Sequence, residues 1–183
     1  MQVASSLQTF VQRYVQYYQQ SGRPLLTDWD ANWLSPCQIG ETDAAGQIIW
    51  QPVARVGLAD FVDTERALEL EFHPDIKAFY SAYWSENLTA HTSRGDLQLL
   101  LPWNEDDFIR LQQNLIGHVL MKKRLKQPVT LFFAVTDDDD FILSLDNHSG
   151  QVVLERVGLP ASEVLADNLS CFLDGLAPGP GEV

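Results

Sequence analysis

TLFFAVTDDDDFILSLDNHSGQVVLERV, residues 130–157, decides the fold. Its three runs rich in Val, Leu, Ile and Phe are separated only by DDDD and by the His148-Ser149-Gly150 region. Such runs between short polar turns predict a three-stranded antiparallel meander. Just upstream, residues 103–127 predict a long helix, with Asn104 as its cap and Phe108, Leu111, Leu115 and Val119 as its buried stripe. Acids fill its first turn, bases gather in its last turns, and Pro128 follows. Both charge sets complement the helix dipole, by roughly 0.3–1 kcal/mol per charge.

Working outward, residues 88–93 and 95–102 predict a further pair of strands, and residues 46–53 a short strand with Pro52 at a sheet edge. Residues 63–72 carry a strand-like alternation of Leu68, Leu70 and Phe72 but helix-favouring Glu, Arg, Ala and Leu. They predict a helix up to His73-Pro74, followed by a second helix over 75–84. Residues 3–20 place Val3, Leu7, Phe10, Val11, Tyr14 and Tyr18 on one helical stripe, opened by a Ser5–Gln8 capping box and ended by Gly22 and Pro24. Residues 161–176 predict a last helix with Leu165, Leu169 and Phe172 facing in, and residues 177–183 a frayed tail. Trp29 and Trp33, in a polar loop, either lie over the core or rim a surface site. The sum is an α/β fold of the α+β type, one domain over residues 1–183 with a mostly antiparallel sheet packed by helices.

Charge narrows the function. Against 25 acids stand 12 bases, a net charge of −13. Such a field repels nucleic acid and bare anionic lipid and attracts basic proteins. Lys122, Lys123, Arg124 and Lys126 form the one basic run, which either completes the helix dipole or touches lipid headgroups. Cys37 and Cys171 are far apart, outside any zinc or redox spacing, and are expected to be reduced core residues of a cytosolic protein. The N-terminus has no signal-peptide pattern and no stretch approaches a membrane span, so any membrane association is expected to be peripheral or through a partner.

Four consecutive aspartates, Asp137 to Asp140, raise the question of a metal. Calcium needs six to eight oxygens converging on one point, whereas consecutive residues at a hairpin tip fan apart. No metal and no cofactor is expected. Nor is an enzyme: there is no nucleophile elbow and no phosphate-cradling loop, and His73, His91, His118 and His148 are scattered. His118 is expected to make a local hydrogen bond. A basic protein partner suits the aspartates better, with Glu105, Asp106 and Asp107 as a second acidic set on the same surface if the fold brings the two together. A solvated turn for the first set and dipole compensation for the second stay open beside that reading.

At these residues the chain resembles the Syd family of bacterial SecY-interacting proteins over nearly its full length. The resemblance is carried by SPC at 35–37, IIWQPV at 48–53, TERALELEFHPDIKAFY at 64–80, PWNEDDF at 102–108 and QNLIGHVLMKKRLKQPVTLFFA at 113–134. More distantly, the layout looks like the SUKH superfamily, which includes toxin-immunity proteins. The resemblance implies a cytoplasmic protein, peripheral on the cytoplasmic side of the inner membrane. It would present an acidic concave surface to the basic cytoplasmic loops of SecY, as a proofreading or negative regulatory factor of translocation. Membrane association would be indirect, through SecY, with no obligate oligomer. Glu105, Asp106 and Asp107 match the family's E-D-D motif, whereas a hairpin tip of four aspartates departs from its mixed acidic composition. The rival expectation is an immunity-type inhibitor of a cationic toxin.

Overall fold

The computed structural model describes residues 2–181. The chain opens with α1 (Gln2–Gln20), then β1 (Leu26–Asp28), β2 (Gln38–Ile39), β3 (Gln47–Trp50) and β4 (Val53–Ala54). Next come α2 (Val62–Leu68), α3 (Pro74–Ala82), β5 (Tyr83–Trp84), β6 (Leu88–Thr92), β7 (Gly95–Leu99) and α4 (Glu105–Arg124). It closes with β8 (Thr130–Thr136), β9 (Phe141–Asp146), β10 (Val152–Arg156), β11 (Ala161–Ala166), α5 (Leu169–Asp174) and β12 (Ala177–Pro178). The meander forms as predicted, β8 with β9 and β9 with β10, and β6 pairs with β7. A seven-stranded antiparallel sheet results, in the order β11-β10-β9-β8-β7-β6-β12, beside the small sheets β1-β3-β2 and β4-β5. The architecture is α+β in one domain.

Alternation along β8 separates the layers. Thr130 and Phe132 face α4, where His118 shares a 2.9 Å hydrogen bond with Thr130 and sets its ring edge-on to Phe132. Phe133 points the other way, with ring centroids 5.7 Å from both Phe79 of α3 and Phe172 of α5. Behind them α1 buries Val3, Leu7, Phe10, Val11 and Tyr14 against α3 and α5. Each fully buried side chain of this size stabilises by about 1.5–3 kcal/mol.

One buried ion pair, Glu155 with Lys122, lies within the helix–sheet interface. Glu155 of β10 is fully buried and accepts from Thr130 at 2.8 Å, from Ser144 at 2.7 Å and from Lys122 of α4. His118 stands 3.3 Å from the same carboxylate. Burial alone pushes the Glu155 carboxyl up, but the bonds from His118, Lys122, Ser144 and Thr130 outweigh it and bring the value from 4.5 down to about 2. A folded value below the unfolded one means that this stability is complete above pH 4.5 and disappears as pH falls toward 2. The loss is on the order of 3 kcal/mol. Urea titrations of wild type and Glu155→Gln between pH 6 and 3 should show the wild-type midpoint falling toward that of the variant, and parallel curves would refute the assignment.

Four local predictions need correction. The helix over 63–72 stops at Leu68, because Glu69 turns left-handed (φ 48°) and the chain runs extended to place Phe72 against Phe61, 5.7 Å between centroids. The second helix stops at Ala82, and Tyr83 and Trp84 pair with β4 under the Arg55 guanidinium, which lies 3.7 Å from the Trp84 ring centroid. Residues 161–176 are not one helix: β11 covers the open edge of β10, and α5 starts only where the Asn168 side chain accepts from Cys171 N–H at 2.9 Å. Ser5 and Gln8 cap nothing, since α1 is already running at Gln2.

The expected frayed tail is another correction as far as residue 181, residues 182–183 lying outside the described ones. Ala177 and Pro178 pair with β6, and Gly181 N–H donates to Asp96 at 2.9 Å. Gly179 sits at φ +78°, where an added Cβ would come within 2.5 Å of the Tyr17 ring. Only glycine lets the tail lie so close to α1.

Candidate functional site

The hairpin tip between β8 and β9 holds all four aspartates in solvent, each in a different setting. Asp138 folds the turn, its carboxylate accepting from Asp140 N–H at 3.0 Å. Asp137 N–H donates to the Asp96 carbonyl at 3.2 Å, tying the tip to β7. Asp140 forms an ion pair with Arg156. Asp139 makes no hydrogen bond among the described residues.

Beneath the tip the sheet curls. The β8–β9 register slips between Phe132 and Ala134, and the β10–β11 register slips twice, between Val152 and Val153 and between Leu154 and Glu155. Each extra residue bends its strand and increases the local twist. The curl encloses a cavity of about 390 Å³ floored by Leu97, Phe141, Leu143, Leu154, Leu165 and Phe172. Asp96, Asp137 and Asp138 supply acid at its wall, and Arg94 is the one base among its lining residues. The arrangement is an apolar trough with an acidic edge. It suits a partner that is basic and apolar at once.

Glu105, Asp106 and Asp107 lie elsewhere. They follow the C-terminal end of β7, whereas Asp137 joins its N-terminal end, so the two acidic sets occupy opposite ends of the β7–β8 pair and share no cavity. Asp107 is already engaged: it accepts from Trp103 N–H at 2.9 Å and from Arg110 at 2.6 Å, completing the Asn104 cap. Glu105 and Asp106 remain exposed.

The basic run is also divided. Lys122 is 1% exposed and bound to Glu155, which corrects its expectation as a lipid contact: the amphipathic face of α4 turns it inward. Lys123 donates to the Leu68 carbonyl at the end of α2, and Arg124 and Lys126 are exposed. Trp29 is exposed, and Trp33 is half-buried beneath the Arg110 guanidinium at 5.0 Å. Cys37 is buried as expected, but Cys171 is exposed on the wall of the cavity, because it lies on the side of α5 opposite the buried Leu169 and Leu173. Among the described residues no three His, Cys, Asp or Glu side chains are placed to hold a metal, and no helix is long and apolar enough to cross a membrane.

A family comparison covers nearly all of this architecture. Residues 4–178 match the family model described as Syd protein (SUKH-2). The chain belongs to the Syd family. A curated relative named Protein Syd from Pseudoalteromonas atlantica is 45% identical over 96% of both chains. Others of that name from Yersinia enterocolitica, 43% identical over 96% of both chains, and from Tolumonas auensis, 42% identical over 97% of this chain and 90% of that one, share the same span. In this Syd-family chain the tip is legible in the sequence but its surroundings are not: Asp96, Arg94, Glu163 and the apolar floor come together only through the curl. Asp96 carried one signal, as an acid opening the strand GDLQL, which pairs with the end of TLFFAVT.

Proposed function

We propose that this chain is a non-enzymatic binding protein that engages the cytoplasmic loops of the SecY channel at the inner membrane, as a proofreading or negative regulatory factor of translocation. Membership of the Syd family supports the partner, and the acid-edged apolar cavity is the observation that carries the mode of binding. Cytoplasmic loops of membrane channels are rich in Lys and Arg and pass directly into apolar helices. A surface with net charge −13 steers toward them, and the trough accepts their apolar flanks. Membrane association is then indirect, because the basic run is divided between the core and a helix end.

The test is binding to detergent-solubilised SecY across a salt series, wild type against a variant with Asp137 to Asp140 all changed to Asn. Asn preserves the turn, since its side-chain oxygen accepts the same backbone N–H. The variant should bind roughly tenfold more weakly at 0.1 M salt and with a shallower salt dependence, because the Debye length there is about 10 Å. Equal binding with equal salt slopes would remove the tip from the interface and shift the contact to Glu105 and Asp106. No binding by wild type would replace SecY with a cationic toxin as the partner to test, in keeping with the SUKH kinship.

A further inference from the structure

Arg94 and Glu163 meet where a flat sheet would keep them apart. Arg94 lies in the β6–β7 turn and Glu163 on β11, with β8, β9 and β10 between β7 and β11. Four strand spacings amount to about 19 Å. Yet the guanidinium meets the carboxylate in a bidentate pair, 2.7 Å to Oε1 and 2.9 Å to Oε2. The curl of the sheet accounts for this, and the pair closes the ring of strands around the cavity. It is an open closure, since Arg94 is 56% and Glu163 46% exposed. Water and salt compete freely for such a pair.

We infer that Arg94 is a resident stand-in for the partner. The occupant of the cavity is a segment that carries a lysine or arginine beside a large apolar side chain. Its cation takes Glu163 from Arg94 and its apolar side chain descends onto Leu143, Leu154 and Phe172. Three observations carry this. Arg94 is the one base among the charged residues of the lining, the others being Asp96, Asp137 and Asp138. The acceptor that it holds is matched in the two-pronged way that favours an arginine. The space behind the pair is apolar and, at about 390 Å³, within the range of cavities that take small ligands. The inference rests on the proposal that this groove binds a basic partner and adds what that partner must contain and which resident group it displaces.

Cys171 on the cavity wall gives a readout independent of SecY. In a Cys37→Ser background, N-ethylmaleimide labelling of Cys171 is timed with two capped hexapeptides, one alternating lysine and leucine and one alternating lysine and serine. The lysine–leucine peptide should slow labelling and the lysine–serine peptide should be at least tenfold less effective. Arg94→Gln should lower the protecting concentration several-fold, and Glu163→Gln should raise it several-fold. Both side chains are exposed, so neither change endangers folding. No protection, equal protection by the two peptides, or an Arg94→Gln variant no better than wild type would overturn the inference. The same variants are then measured on solubilised SecY. Peptide protection without SecY binding means that the groove takes such a segment from another protein, so the SecY reading fails and this inference stands. SecY binding without peptide protection means the reverse.

Discussion

Glu155→Gln is expected to destabilise the fold by about 3–5 kcal/mol, seen as a lower urea midpoint with an unchanged slope. The carboxylate is fully buried and serves Lys122, Thr130 and Ser144 together. A glutamine oxygen can still accept from the two hydroxyls. Its amide would then face the Lys122 ammonium donor to donor, leaving a buried cation unpaired, which is the costly state. Lys122→Met in the same chain should recover most of the loss, because it removes the stranded charge and adds apolar volume. The rescue is the decisive measurement. A double variant as unstable as Glu155→Gln alone would show that the hydroxyls, not the ion pair, set the cost.

Phe133→Ala should cost a similar amount, about 3–5 kcal/mol, since a fully buried ring is removed from between two helices. Its second consequence reaches the groove. Phe133 meets Phe172 of α5 edge-on, and Phe172 in turn floors the cavity. With that support gone, α5 loses its anchor on the sheet, and Cys171 labelling should lose its sensitivity to the lysine–leucine peptide even in conditions where the variant is folded. Phe133→Leu, which keeps most of the volume, should retain both folding and peptide protection. An alanine variant with wild-type stability would mean that the layer re-forms around the gap.

Much of this fold was legible because the sheet's centre is built from adjacent segments. In the meander each strand meets the next across a turn of a few residues, so alternation and turn chemistry give pairing as well as structure. The misreadings fall where two patterns coincide. Leu165, Leu169 and Phe172 satisfy a helical period, yet they come from a strand and a separate short helix that address the same region. Leu68, Leu70 and Phe72 satisfy a strand period, and there the extended path wins beyond Leu68 because it delivers Phe72 to Phe61 and its neighbours.

The groove was not legible because β8, β9, β10 and β11 hold no glycine to mark their irregularities, and Arg94 and Glu163 are 69 residues apart. Lys122 hid in a run of similar residues. Its signal lay on the other side: Val153 and Glu155 share a face of β10, and an acid on the buried face of a strand demands a cation.

The contact between α1 and α5 sets a schedule for synthesis. Ser6 and Ser170 share a 2.6 Å hydrogen bond across 164 residues, and the same pair of helices buries Leu7 and Leu173. At roughly 5–20 residues per second, translation exposes α1 many seconds before α5 exists. Over that interval the stripe of Val3, Leu7, Phe10, Val11 and Tyr14 lacks the cover that α5 and β12 supply. A cooperative domain whose first helix waits for its last completes its core only after the ribosome has finished both, and a stalled or shortened message yields a chain that holds a nearly full sheet and an open apolar flank.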